Sequence, residues 1–356
     1  MLARVKRVIE AMPQEVDGLI VLQPENRRWV SGFTGSSGVV VVGRQGQPVF
    51  LTDFRYTQQA GKQCQGYEIV RHGQQLTVDI KAVLERLAIK KLGFEKDYIT
   101  VGQHTKWTSE MEGIELIPLE DILLDLRAVK DPEELELLAQ AAAIADKAFT
   151  HILGFLRPGL SERRVALELE RHMQDLGASG PSFDTIVASG VRSSMPHGVA
   201  SDKLLEENDF ITMDYGCVYK GYCSDMTRTV VLGKASPRQR EIYGIVLEAQ
   251  LAGVEGIRAG ITGKEADSVA RDIIAAKGYG EQFGHGLGHG VGLAIHESPR
   301  AGATSEDILA VNNLVTVEPG IYLPDWGGVR IEDTVVVQEG GCRNLMASAK
   351  ELIEIK

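Results

Sequence analysis

The chain has 356 residues, 44% of them hydrophobic, 24% charged and 6% aromatic, with a formal net charge of -11. That length fits two domains, and the composition is that of an ordinary globular protein with ample apolar material for a core. The acidic balance excludes a general nucleic-acid binder, which needs a basic stripe, and argues against an anionic membrane surface as partner. Four cysteines (Cys64, Cys217, Cys223 and Cys342) form no Cys-x-x-Cys pair and are too sparse for a disulfide scaffold. The first apolar runs are broken by Arg, Lys, Glu and Asp, and no run approaches the length of a membrane span. The expectation is a protein of the reducing cytoplasm.

In chain order, "GLIVLQ" (18–23) and "GVVVVG" (38–43) read as buried strands, and "PVFLTDFRY" (48–56) as a strand running into a helix. Residues 77–91 carry helical spacing at Ile80, Val83, Leu84 and Leu87, and "KLGFE" (91–95) reads as another strand. This is an α/β domain, expected over 1–126. A boundary follows. Asp131 is suited to cap a helix, Pro132 to its first position and Glu134 to its third. The second domain, 127–356, then shows helices near 132–155 and 161–177, strands at 183–189, 209–216 and 219–233, helices near 237–258 and 263–278, and a closing strand-rich block. That order indicates an internal duplication.

The duplication is visible in letters. "ITMDYG" (211–216) is answered by "VTVEPG" (315–320), so Asp214 matches Glu318; "GYCSDMTRTVVLG" (221–233) is answered by "GVRIEDTVVVQEG" (328–340), so Asp225 matches Glu332. Each repeat sets two carboxylates on neighbouring strands of a hairpin. Alternate residues of a strand share a face, so Arg330 is expected to point the same way as Glu332. Four carboxylates gathered in an apolar sheet repel one another unless divalent cations sit among them. A lone acid in a strand is more often an edge or salt-bridge residue; its repetition at both hairpins favours a metal site.

Histidines add to the pattern. "FGHGLGHGVGLAIHESPR" (283–300) holds His285, His289 and His296 among glycines that leave room for a ligand, and "SMPHG" (194–198) adds His197. Other motifs fail. His-Glu-x-x-His is absent, His289 occupies the third glycine position of a dinucleotide fingerprint, and neither a phosphate loop nor a nucleophile elbow is present.

With these residues in view, the set Asp214, Asp225, His289, Glu318 and Glu332 resembles the five ligands of the pita-bread metallopeptidases, which include aminopeptidase P, prolidase and methionine aminopeptidase. The surrounding letters "MDYG", "SDMTRT", "GHGVGL", "HE", "EPGIY" and "RIEDT" agree. The first domain more weakly resembles the N-terminal domain of creatinase, prolidase and aminopeptidase P, which methionine aminopeptidase lacks. The resemblance implies a creatinase-like α/β domain followed by a pita-bread catalytic domain of duplicated ααββ units. It implies two divalent metals, manganese first, with cobalt or zinc as alternatives. In that scheme Asp225 and Glu332 bridge the ions, Asp214 binds one, and His289 and Glu318 bind the other. A water shared by the ions becomes the hydroxide nucleophile, and Glu318 shuttles its proton. His197 and His296 are implied as catalytic hydrogen-bonding groups, one facing the leaving nitrogen and the other the carbonyl oxygen. His285 resembles a histidine lining the proline pocket, and Tyr322 and Arg330 match positions beside the ligands. Arg300 is a candidate for holding a dipeptide's carboxylate, against the alternative of an ordinary surface arginine.

The substrate class comes with the resemblance: peptides with proline second, from which the first residue is released. Aminopeptidase P accepts longer peptides and prolidase dipeptides only; the first is the main expectation and the second the alternative. A metal-free creatinase-like hydrolase is opposed by the complete ligand set, and a non-enzymatic binding protein by the intact site. The resemblance also implies a homodimer in which segments 26–35 and 51–56 help wall the partner's active site.

Overall fold

The computed structural model describes residues 2–120 and 122–356. The chain divides into two units, one ending at Arg127 and one spanning Ala128–Lys356. The first contains α1 (Leu2–Ala11), β1 (Gly18–Val21), α2 (Pro24–Ser31), β2 (Val39–Gly43), β3 (Val49–Thr52), α3 (Thr57–Gln63), β4 (Glu68–Arg71), α4 (Leu76–Arg86), β5 (Lys91–Glu95), α5 (Val101–Glu110), β6 (Glu115–Leu119) and α6 (Ile122–Ala128). The strands form one six-stranded sheet in the order β4-β3-β2-β1-β5-β6. β2 is antiparallel to both neighbours and the remaining pairs are parallel. β1, β2 and β3 are buried at every position. That is why they read as continuous apolar runs rather than alternating ones.

Four helices of this unit, α1, α2, α5 and α6, were not expected from the sequence. For α2 the reason is non-local. It has no side-chain cap of its own; instead the Glu95 carboxylate, on β5, accepts from the backbone N–H of Leu22 and Gln23 and from Asn26 Nδ2. A remote acid thus satisfies the donors at the entry to the helix.

The second unit runs α7 (Pro132–Leu153), α8 (Glu162–Asp175), β7 (Gly180–Pro181), β8 (Ile186–Ser189), β9 (Phe210–Tyr215), β10 (Cys217–Tyr219), β11 (Tyr222–Cys223), β12 (Met226–Leu232), α9 (Pro237–Gly256), α10 (Gly263–Ala276), β13 (Gly288–Gly290), β14 (Glu297–Ala301), β15 (Leu314–Val317), β16 (Gly320–Leu323), β17 (Gly327–Arg330), β18 (Asp333–Gln338), β19 (Gly341–Asn344) and β20 (Glu354–Ile355). Asp131 and Glu134 form the expected capping box at α7. β12 and β9 pair antiparallel, as do β15 and β18.

The duplication is written in hydrogen bonds as well as letters. Gly159 N donates to Leu205 O and Leu205 N to Leu160 O; Gly260 N donates to Leu309 O and Leu309 N to Ile261 O. Asn208 and Asn312, each six residues before Asp214 or Glu318, both take φ 67°. That left-handed conformation is one asparagine tolerates better than most residues. Each half has its own core. Ala145, Phe149, Leu169 and Met213 belong to the first, and Val246, Ala270, Val317 and Val335 to the second.

Candidate metal centre and active site

The carboxylates stand at strand ends. Asp214 lies on β9, Asp225 immediately before β12, Glu318 immediately after β15 and Glu332 immediately before β18. Two glycines let the strands close on one another. A Cβ at Gly216 would stand 1.8 Å from Ser224 O, and one at Gly288 would stand 1.9 Å from Thr316 O. The first approach lets the hairpin return with Asp225, and the second brings His289 beside the strand leading to Glu318.

One oxygen each from Asp214, Asp225 and Glu332 lies within 4.8 Å of the others, all three residues being buried. His289 Nε2 is 3.5 Å from Asp225 Oδ2 and 3.5 Å from Glu318 Oε1. All five residues therefore meet, with Asp225 common to both groups. His289 Nδ1 is 3.0 Å from the Gly290 carbonyl. A carbonyl only accepts, so Nδ1 carries the hydrogen and neutral Nε2 presents a lone pair. Burial, the leading cause, holds His289 below the usual histidine range. The lone pair therefore faces the oxygens of Asp225 and Glu318.

Two further atoms report the same deficit. Asp214 Oδ2 accepts from Arg330, while buried Oδ1 has no partner among the described residues. Glu332 Oε2 accepts from Thr227, while Oε1 is likewise without one. Burial, then the charges of Glu332, Asp214 and Glu318, push Asp225 well above the carboxylate range. Burial, then Glu318 and Asp214, push Glu332 well above it too. An apolar pocket of acceptors, with bare oxygens and a bare imidazole nitrogen turned inward, fits divalent cations bound by mixed oxygen and nitrogen donors.

Hydroxyls orient this shell. Thr227 Oγ1 donates to Glu332 and accepts from Arg330 Nε; Thr316 Oγ1 accepts from His289 N and donates to Glu318 Oε1; Thr334 Oγ1 donates to Asp225 O. The sequence reading gave these threonines no role. Their signal was available: each stands two positions from a carboxylate, and so on the same face of its strand. β17 ends at Arg330 and β18 begins at Asp333, so the extended run expected through Glu332 is interrupted. Arg330 and Glu332 still converge, both on Thr227.

A second chain of hydrogen bonds leads away from Asp214. Arg330 Nη1 donates to Tyr322 OH at 2.7 Å, and Tyr322 OH lies 2.9 Å from His285 Nε2. His285 Nδ1 is 2.8 Å from Gly286 O, which fixes the hydrogen on Nδ1. Tyr322 therefore donates to Nε2 while accepting from Arg330. Burial raises the Tyr322 hydroxyl to about 12 and lowers His285. The loop carrying His285 is clamped by Arg271, which donates to Phe283 O and His285 O and is itself held by Asp267.

The four acids, His289, Arg330, Tyr322 and His285 line a cleft of about 1270 Å³, with His197 and His296 exposed on its wall and Phe183, Met195 and Ile295 among its apolar members. His296 stacks edge-on to His289 with ring centroids 4.4 Å apart. Burial, then His289 and His197, lowers its pKa. Arg300, on β14, is exposed and stands outside the residues lining the cleft; Asp307 accepts from its backbone N–H at 2.7 Å.

Residues 136–339 match the profile of metallopeptidase family M24, and residues 4–129 match the creatinase/prolidase N-terminal domain. The chain belongs to metallopeptidase family M24. It is 38% identical over 357 residues to the Xaa-Pro dipeptidase of Pyrococcus horikoshii, covering 98% of each chain. Among solved structures it is similar to an Xaa-Pro dipeptidase from Bacillus anthracis, at 48% identity and TM-score 0.97 over 99% of each chain. It is also similar to an X-Pro aminopeptidase from Thermotoga maritima, at 37% identity and TM-score 0.93 over 99% of this chain and 100% of that one. The peptidase is a metallo-exopeptidase with a creatinase-type N-terminal domain and a pita-bread catalytic domain, the architecture expected from its sequence. Dependence on divalent metal goes with the family. Among the described residues, no helix is long and apolar enough to cross a membrane.

Proposed function

We propose that the peptidase is an Xaa-Pro dipeptidase, hydrolysing dipeptides whose second residue is proline. The reaction class rests on the cluster at Asp225: buried acids, unpartnered oxygens on Asp214 and Glu332, and the His289 lone pair turned toward them. The choice of dipeptides rests on full-length similarity to proteins named Xaa-Pro dipeptidase. It reverses the order favoured by the sequence, where the aminopeptidase came first. The aminopeptidase is the second reading, favoured by the Thermotoga maritima likeness and by a cleft of about 1270 Å³, roomy for a dipeptide.

Asp214, Asp225, His289, Glu318 and Glu332 would hold two divalent ions, manganese being the expected pair. Bound there, such ions make a water acidic near neutral pH and polarise the scissile carbonyl. Glu318 takes the proton that the water gives up. Its Oε1, fixed by the Thr316 hydroxyl, lies on the cleft 3.5 Å from His289 Nε2, where it can relay a proton. It passes that proton to the proline nitrogen, which leaves as a secondary amine when the C–N bond breaks. His197 and His296 hydrogen-bond the reacting amide, one at the carbonyl oxygen and one at the leaving nitrogen. His285, fixed by Tyr322 and Arg330, offers an oriented ring as a wall for the proline. Arg300 stands outside the cleft wall, so its role is a longer-range attraction for the dipeptide's carboxylate.

The reading includes a cytoplasmic location, supported by four free cysteines. It also includes a homodimer with segments 26–35 and 51–56 at the partner's cleft, supported by Phe54, a phenylalanine 67% exposed. The test is release of the first residue from an Xaa-Pro dipeptide and an Xaa-Pro tripeptide, with metal and with chelator. Cleavage of the dipeptide alone, abolished by chelator, is expected. Equal cleavage of both favours the aminopeptidase, and cleavage of neither by metal-loaded protein ends both readings.

A further inference from the structure

The loop between β8 and β9 carries His197, yet little of the loop itself is buried. Val191 is 51% exposed, Met195 51% and Val199 48%. Its internal backbone bonds are short-range: Met195 N to Arg192 O and Gly198 N to Met195 O. Ser193 accepts from Gly328 N at 2.8 Å and Val199 bridges to Ile186, but both ends of the loop are gathered by one carboxylate. Glu162, the first residue of α8, has no exposed surface. Its Oε1 accepts from Ser189 N at 2.7 Å and Ser189 Oγ at 2.9 Å, on the strand leading into the loop. Its Oε2 accepts from Ser201 N at 3.1 Å and Ser201 Oγ at 2.6 Å, where the loop leaves. Arg192, within the loop, donates to the same Oε2 and, through Nη2, to Val199 O at 3.0 Å.

A buried carboxylate is costly unless its lone pairs are filled, and here five donors from three residues fill them. The donors bracket the loop on both sides of His197. The duplicated half lacks this device. The matching first residue of α10 is Gly263, where a Cβ would stand 1.9 Å from Arg300 O, so no side chain fits. The staple is therefore particular to the half that carries His197; the histidines of the other half, His289 and His296, reach the cleft without it.

We propose that Glu162 is a positioning residue for His197, holding the ends of its loop so that the imidazole meets the reacting amide in one orientation. This rests on the reading of His197 as a catalytic group. The test is a double-mutant cycle on the metal-loaded enzyme with an Xaa-Pro dipeptide, comparing Glu162→Gln, His197→Ala and the two combined. Glu162→Gln keeps the shape but replaces one acceptor with a donor. The expected result is a loss of roughly 10–100-fold in kcat, with KM and bound metal unchanged and no further loss when His197 is already alanine. Hydrogen exchange should quicken in 190–200 while α7 and the rest of α8 keep their protection. Equal losses in both backgrounds, no loss, or unchanged exchange in the loop overturns the proposal. Should Glu162→Gln fail to fold, Ser201→Ala removes one donor and leaves the carboxylate. A several-fold fall in kcat, again absorbed by His197→Ala, is expected, and an additive or absent effect overturns the proposal. Full activity of His197→Ala alone would instead refute the reading of His197, separately from anything Glu162 does.

Discussion

Arg330 Nη2 and Asp214 Oδ2 lie 2.5 Å apart, a buried charge pair that occupies one oxygen of the aspartate and leaves the other bare. The same arginine donates to Tyr322, which donates to His285. One side chain thus braces a carboxylate of the acidic cluster and orients a ring on the cleft wall. Tyr322→Phe deletes the middle link while leaving Arg330 with Asp214. The expected outcome is a loss of roughly fivefold in kcat/KM for an Xaa-Pro dipeptide with bound metal retained, since one hydrogen bond contributes about 1 kcal/mol. Steady-state kinetics beside metal analysis checks it; loss of metal would place the tyrosine with the ligands instead.

Repulsion among the buried carboxylates makes opposite predictions with and without metal. Asp225→Asn removes a charge that burial and three neighbouring acids oppose. At pH 8 in chelator the variant is expected to be more stable than the parent by roughly 1–3 kcal/mol, because an unneutralised buried charge is gone. With metal added the order reverses, because the parent gains binding energy that the variant cannot. Denaturant unfolding in the two conditions reads both signs.

Lys130 and Glu297 form an ion pair exposed by only 1% and 2% of their side-chain surface, with Nζ 3.1 Å from Oε2. Glu297 directly follows His296, and its Oε1 also accepts from Ala294 N. Lys130→Met strips the cation from that buried carboxylate and is expected to cost about 3–5 kcal/mol. Pairing it with Glu297→Gln should recover most of the loss. Thermal unfolding of the two single variants and the double gives the coupling.

Glu168 supplies a pH prediction away from the metal centre. Hydrogen bonds from Arg171, then His151, hold its carboxyl down at about 2, against an ordinary 4.5. A depressed folded-state value means the pairing stabilises above about 4.5 and is lost as pH falls towards about 2. Arg171 is largely exposed, so water screens the contribution to about 1 kcal/mol or less. Glu168→Gln is therefore expected to be less stable than the parent at pH 7, with the gap narrowing below pH 4.5. A gap of constant size down to about pH 2 would contradict the assignment.

The four clustered acids were legible because the chain states them twice, as "TMDYG" and "TVEPG" and again as "SDMTRT" and "RIEDT". A repeated acid in an apolar strand has few explanations. Residues that act across long stretches of chain left no such mark. Glu95 meets Leu22 across 73 positions, and Lys130 meets Glu297 across 167. Each reads in sequence as an ordinary surface charge, because no local periodicity encodes a distant partner. Arg300 is placed less directly than its letters suggested. It pairs across the ladder with His289, yet its side chain is exposed and outside the residues lining the cleft. The missed helix α2 has the same origin as the missed pairs, since its first donors are satisfied by Glu95 rather than by a neighbour in sequence.

The account's central claim is that five side chains from the two repeats enclose a pair of divalent ions. Its most direct measurement is the metal content per chain after loading with manganese and dialysis, compared between the parent and Glu332→Gln. The account predicts two ions in the parent and fewer in the variant. A parent that retains none, or a variant that retains as many as its parent, would contradict it.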